Sequence, residues 1–158
     1  MPPITHDTPH LGGPISDFVG KYGPPNDHSD TNSYHWQRAA NGPTDGLIVS
    51  PYPGTHNAGG IIVASINGAT WTPSTAEAIC AAYAPSDAHT LKRVELSSTQ
   101  GYDVLSISSS LASRFSADAF TDANQNVIQA GTFDIQYLVK PDGSIDSCDL
   151  EIGQQQTH

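Results

Sequence analysis

The chain has 158 residues, with 16 acidic side chains against 6 basic ones and a formal net charge of −10. That length makes one domain with a core of its own, and 37% hydrophobic residues with 2 cysteines exclude both a disordered chain and a small disulfide scaffold. The negative charge opposes phosphate backbones and anionic membrane surfaces, and no apolar run nears the ~20 residues of a membrane span, so neither nucleic-acid binding nor membrane insertion is expected.

Residues 1–12, with three prolines, two histidines and little apolar content, read as a flexible linker. A short helix follows. Pro14 suits its first position, and Ile15, Phe18, Val19 and Tyr22 share one face. Asp17 in the first turn and Lys21 in the last agree with the helix dipole, while Gly23 and Pro24 stop it. Residues 33–37 alternate, with Tyr34 and Trp36 on one side, and 46–50 and 60–66 are β-branched runs that read as strands. A second helix begins near Ser74, capped by Thr72 or by the capping box Ser74-Thr75-Ala76-Glu77, and ends before Pro85. Strands are expected at 92–96 and 102–108, and a third helix over 110–120 with Leu111 and Phe115 on one face. Phe133, Ile135, Tyr137 and Val139 then alternate, Pro141-Asp142-Gly143 turns, and 145–152 returns as a hairpin partner. Residues 154–158 read as a disordered tail. The pattern predicts a single α+β domain over 13–153, a mainly antiparallel β-sheet with two or three short helices packed on it.

Cys80 falls on the helical face Ala76, Ile79, Cys80, Tyr83, and Cys148 alternates with Leu150 and Ile152 on the apolar side of the last strand. Both thiols point inward, and their even count predicts a Cys80–Cys148 disulfide. Such a bridge belongs to an oxidising compartment. Three lysines, one methionine and a proline-rich start agree with an extracytoplasmic domain, secreted or tethered at a cell surface. Met1-Pro2-Pro3 is not the basic and apolar start of an export signal, so this reading takes the chain without its signal segment.

No nucleophile elbow, phosphate loop or zinc signature occurs, so no catalytic residue, metal or cofactor is assigned. Five of the seven histidines lie in the first 56 residues. Pro9 argues against a helix joining His6 and His10, and Asp27-His28-Ser29-Asp30 reads as a solvated turn. Asp122, Asn124 and Asn126 sit at positions 1, 3 and 5 of a calcium-loop pattern, but Val127 and Phe133 replace its glycine and glutamate, and the segment reads as a turn between helix and strand. The loop of turn residues from Pro51 to Gly60 supplies the ligand-binding candidates, Tyr52 and His56. Tyr52 is hard to bury between two prolines. His56, in a glycine-bearing loop near Ser50 and Asp45, has the type of a general base but no fixed geometry. Tyr34, Trp36 and Trp71 read first as core and second as a groove lining.

Phe18-Val19-Gly20-Lys21-Tyr22-Gly23-Pro24-Pro25, followed by the aromatic strand Tyr34-His35-Trp36, resembles a module of outer-membrane small protein A-like (BamE-type) lipoproteins and β-lactamase-inhibitor-protein-like domains. There a short helix ending in l-G-x-P leads into an aromatic-bearing strand. The likeness covers residues 13–66. It implies an exported domain acting through protein contact, with no catalytic residue to carry over. The long loop at 51–60 and the C-terminal hairpin depart from that pattern.

These features favour a non-enzymatic, extracytoplasmic protein- or ligand-binding module, monomeric, whose negative field would steer a basic protein partner toward it. Two other readings stay open. One is a small hydrolase with His56 or His35 as base. The other is a structural stalk domain without a ligand.

Overall fold

Alternation along the last two strands decides which face of the sheet is dry. The computed structural model describes residues 9–26, 32–37, 46–66, 68–96 and 101–154. In order these form α1 (Ile15–Tyr22), β1 (Tyr34–Trp36), β2 (Gly46–Pro51), β3 (Ala58–Ala64), α2 (Pro73–Ala81), β4 (His89–Glu95), β5 (Tyr102–Ile107), α3 (Ser109–Arg114), a 3-10 turn at Ala117–Ala119, β6 (Thr132–Val139) and β7 (Ile145–Ile152). The seven strands make one sheet in the order β1-β2-β3-β7-β6-β5-β4, antiparallel at every pairing. The architecture is α+β with β dominant.

Two meanders, β1-β2-β3 and β4-β5-β6-β7, meet where β3 pairs with β7. The chain leaves β3 near the middle and re-enters at the far edge, β4, so α2 crosses one face on the way. That face carries the core. Trp36, Leu47, Val49, Ile61, Val63, Phe133, Ile135, Tyr137, Cys148 and Leu150 are all buried there, in one cluster with Phe18, Cys80, Leu111 and Phe120. The opposite face carries Asp103 beside Gln136 beside Asp149, and Asp134 directly opposite Glu151.

Each helix shows its sequence logic, with two corrections. α1 starts after Pro14 and ends at Gly23, whose φ of +81° gives the left-handed turn that glycine allows. Its Phe18 and Tyr22 meet Trp36 at 6.3 and 6.4 Å between ring centroids. α2 is capped by Thr72, whose hydroxyl accepts from the Thr75 N–H at 3.3 Å. The capping box at Ser74 does not form, because the helix starts at Pro73 and Ser74 already lies in its first turn, while Glu77 accepts from the Tyr102 hydroxyl. The third helix stops at Arg114. Phe115 is extended (φ −122°, ψ 152°), and only the short 3-10 turn follows. Extension at Phe115 keeps its ring buried alongside Leu111.

The packed chain also starts before residue 13. Leu11 is fully buried, and its N–H donates to the Tyr83 carbonyl at 2.8 Å, so residues 9–12 are domain rather than linker. The Gln154 N–H likewise donates to Thr121 O at 3.0 Å. The remainder of the expected linker and tail, residues 1–8 and 155–158, lies outside the described residues. Among the described residues no helix is long and apolar enough to cross a membrane.

Candidate functional site

The expected disulfide is formed. Cys80 on α2 and Cys148 on β7 are joined with Cα atoms 6.5 Å apart, and both are fully buried. The bridge pins α2 over β7, and α2 makes its main sheet contact there. Its C-terminal end is built of small residues. Toward β4 these short side chains leave space unfilled, and an open cleft of about 800 Å³ lies between helix and sheet.

One wall of the cleft is Ala81, Ala82, Ala84 and Pro85. The floor is Val104, Ser106, Phe133, Ile135 and Tyr137, the residues of β5 and β6 that face the helix. His10, Ser86 and Thr90 add polar groups, and Glu77 and Arg93 supply the charges. His10 Nδ1 lies 2.8 Å from the Leu11 carbonyl.

Glu77, Arg93 and two tyrosines form one connected group. The Tyr102 hydroxyl donates to Glu77 Oε1 at 2.7 Å. Arg93 lies over the Tyr102 ring at 3.7 Å, donates from Nε to Glu95 Oε1 at 2.6 Å, and comes within 3.8 Å of Glu77. The Tyr102 and Tyr137 rings stack at 4.9 Å. The bond to Glu95 holds the guanidinium firmly charged. Burial, and then the Glu77 carboxylate, push both tyrosine hydroxyls above their ordinary value. The phenols stay neutral, and Tyr102 donates to Glu77. The site combines an apolar floor with one compact polar end, a combination suited to holding and orienting a small amphipathic molecule.

The sequence candidates fall elsewhere. Tyr52 is half-buried, its ring 5.1 Å from that of Phe115, and His56 is exposed at the tip of the β2–β3 loop, where its carbonyl accepts from the Ile15 N–H. Neither lines the cleft. Trp36 is core, Tyr34 stacks on it at 6.3 Å, and Trp71 bridges its backbone to Ile145. Asp122 Oδ1 accepts from the Asn124 and Asn126 N–H groups at 2.8 and 3.0 Å, the expected turn. His6, His28, Asp27, Asp30 and Asp45 lie outside the described residues. Among the described residues no group of three or more His, Cys, Asp or Glu is placed to hold a metal ion. His35 Nε2 lies 2.9 Å from Ser33 Oγ, on the opposite side of the molecule's sheet order from the cleft strands.

Sequence reasoning passed over Glu77, Arg93 and Tyr137. In sequence Glu77 reads as part of a capping box and Tyr137 as one of the alternating residues of a strand. The one available signal was parity. Tyr102 and Tyr137 alternate onto helix-facing positions, but only the register that sets Tyr102 opposite Tyr137 and Glu95 joins them into a site.

No protein-family model matches the chain, and no curated protein does. Among solved structures the chain is similar to that of a DUF4309 family protein (YjgB) from Bacillus subtilis subsp. subtilis str. 168, at a TM-score of 0.40 and 11% identity over 88% of this chain and 78% of that one.

Proposed function

We propose that this protein is a non-enzymatic binding module that works outside the cytoplasm, secreted or held at a cell surface, and that the cleft between α2 and β4–β6 is its ligand site. One observation carries the reading. The cleft of about 800 Å³ has an apolar floor and a few convergent polar groups, and small-molecule sites typically run from roughly 300 to 1,000 Å³ with that lining. The buried disulfide supports an oxidising compartment, and the helix-to-strand likeness at 13–66 agrees with an exported role. The net charge of −10 favours basic over acidic protein partners at the outer surface.

The test is a small-molecule screen by NMR on the isotopically labelled protein. Binders should shift amides of α2, β4, β5 and β6, and Ala82→Trp, which fills the cleft, should abolish those shifts while the protein stays folded. A screen whose hits all map outside these elements, or that yields none, removes the reading.

The hydrolase alternative has one contact in its favour, the 2.9 Å approach of His35 Nε2 to Ser33 Oγ. Labelling of Ser33 by a fluorophosphonate, lost in His35→Ala, would put that reading first. Absence of labelling dismisses it.

A further inference from the structure

Resting on the cleft as the binding site, we propose that its ligand is a small organic cation, an amine or quaternary ammonium carried on an apolar body, with the charge at Glu77 and the body over Val104, Ile135 and Tyr137.

The charge count at the polar end sets the sign. Arg93 contributes one positive charge there, and Glu77 and Glu95 contribute two negative ones, which leaves a surplus of one negative charge. Arg93 is already flanked by acids. Its Nε is bonded to Glu95 at 2.6 Å, its Nη1 lies 3.8 Å from Glu77, and its guanidinium carbon lies 3.7 Å from the centre of the Tyr102 ring, with the side chain 51% exposed. An anionic ligand approaching it would meet both carboxylates. Glu77 is placed differently. Its contacts with Tyr102 and Arg93 both use Oε1, the side chain lines the cleft and is 44% exposed, and Oε2 takes part in neither contact.

The surroundings add to the attraction. A cation near an aromatic face is drawn by the ring quadrupole, the more strongly when water is excluded. Tyr137 presents a buried ring to the cleft, stacked on the very tyrosine that carries Arg93. The protein thus uses carboxylate-plus-tyrosine recognition of a cation within its own fold, next to a cavity lined by the same carboxylate. The net charge of −10 draws cations toward the molecule as a whole. Val104 and Ile135 continue the floor as apolar surface for the body of the ligand.

Three probes of matched size test this: 2-phenylethylamine, 2-phenylethanol and 3-phenylpropionate, titrated by NMR at low salt. The amine should bind about tenfold or more tighter than the alcohol, and the carboxylate weakest. Glu77→Gln should bring the amine down to about the alcohol's affinity and cost the amine far more than the alcohol. Glu95→Gln, which removes an equal charge from a residue outside the cleft lining, should change the amine's affinity less than Glu77→Gln does. Should Glu77→Gln fail to fold, the amine's advantage must shrink in the wild-type protein as sodium chloride rises to 500 mM. Equal or tighter binding of the alcohol or carboxylate, or an amine advantage that survives Glu77→Gln, overturns the proposal. Cleft shifts with neutral compounds and none with the amine overturn the charge preference alone. No cleft shifts with any compound overturn the binding reading as well.

Discussion

Asp149 shows how one side chain records its place in the sheet. It projects from β7 on the face away from the helices, half-buried, opposite Gln136 and Ile62 and on the same face as Glu151, Asp134 and Asp103. Burial, and then the nearby Glu151, push its carboxyl up to about 7. A carboxyl whose folded pKa lies above its unfolded one keeps its proton more tightly when folded. The folded state therefore loses stability as pH rises from about 4 through 7. Asp149→Asn should leave the unfolding midpoint unchanged at pH 4 and raise it at pH 8. Discounted for solvent screening the gain is about 1 kcal/mol, or about 2–4 °C. Thermal melts at the two pH values check it, and a gain at pH 4 as large as at pH 8 would contradict the burial argument. Asp87 has the opposite sign. It accepts from the hydroxyls of Ser108, Ser109 and Ser110 and from the Ser110 N–H, at 2.6 to 2.9 Å. Those bonds, Ser108 foremost, hold its carboxyl well below the usual range. Its contribution is present above about pH 4 and is lost as the pH falls. Asp87→Ala should cost about 1 kcal/mol at pH 7 once screening is allowed for, with the deficit shrinking toward pH 2 in denaturant titrations.

At the scale of elements, α2 depends most on a covalent partner. It spans nine residues, and only Ala76 and Cys80 within it are buried. A helix that short is marginal on its own and is held by what it docks against. The bridge to Cys148 closes a separation of 68 residues, which in the chain-entropy model stabilises the fold by about 4 kcal/mol. Replacing both cysteines with alanine should lower stability by roughly that amount. The loss should appear first as faster hydrogen exchange of the α2 amides, ahead of β6 and β7. Uniform loss of protection would mean that helix and sheet open together. Because α2 is also the wall of the cleft, the same variant should weaken any ligand that the cleft takes. By contrast α1 is held by packing, through Phe18, Tyr22 and Trp36 and the Tyr22–Tyr83 hydroxyl contact at 3.1 Å.

At the scale of the molecule, the topology explains why a cleft exists at all. Seven strands are wider than three short helices can cover. The disulfide places α2 over the middle of the sheet, and the edge strand β4, exposed along almost its whole length, receives little cover. Arg93 and Glu95 on that edge then complete a polar end whose other half comes from α2 and β5. Gly101 lets the chain enter β5 hard against β6. With φ of +91°, it brings its Cα so close to β6 that a Cβ would stand 1.9 Å from the Tyr137 carbonyl oxygen.

Local chemistry was enough to locate the helices and strands of this protein. Pro14 and Gly23 bound α1, β-branched runs and alternation mark the strands, and Pro141-Asp142-Gly143 turns the last hairpin. Inward-facing parity at Cys80 and Cys148 was enough to foresee their pairing. These features are short-range, set by caps, turns and residue period within a few positions. The cleft is different. Glu77, Arg93, Tyr102 and Tyr137 lie on one helix and three strands, and nothing in their spacing relates them. Antiparallel register and the crossing of α2 decide that they meet. The loop of Tyr52 and His56 stands out in the sequence only through its turn-forming residues, a local property. Tertiary packing placed Tyr52 against Phe115, because a ring that can reach a core is stabilised by leaving water.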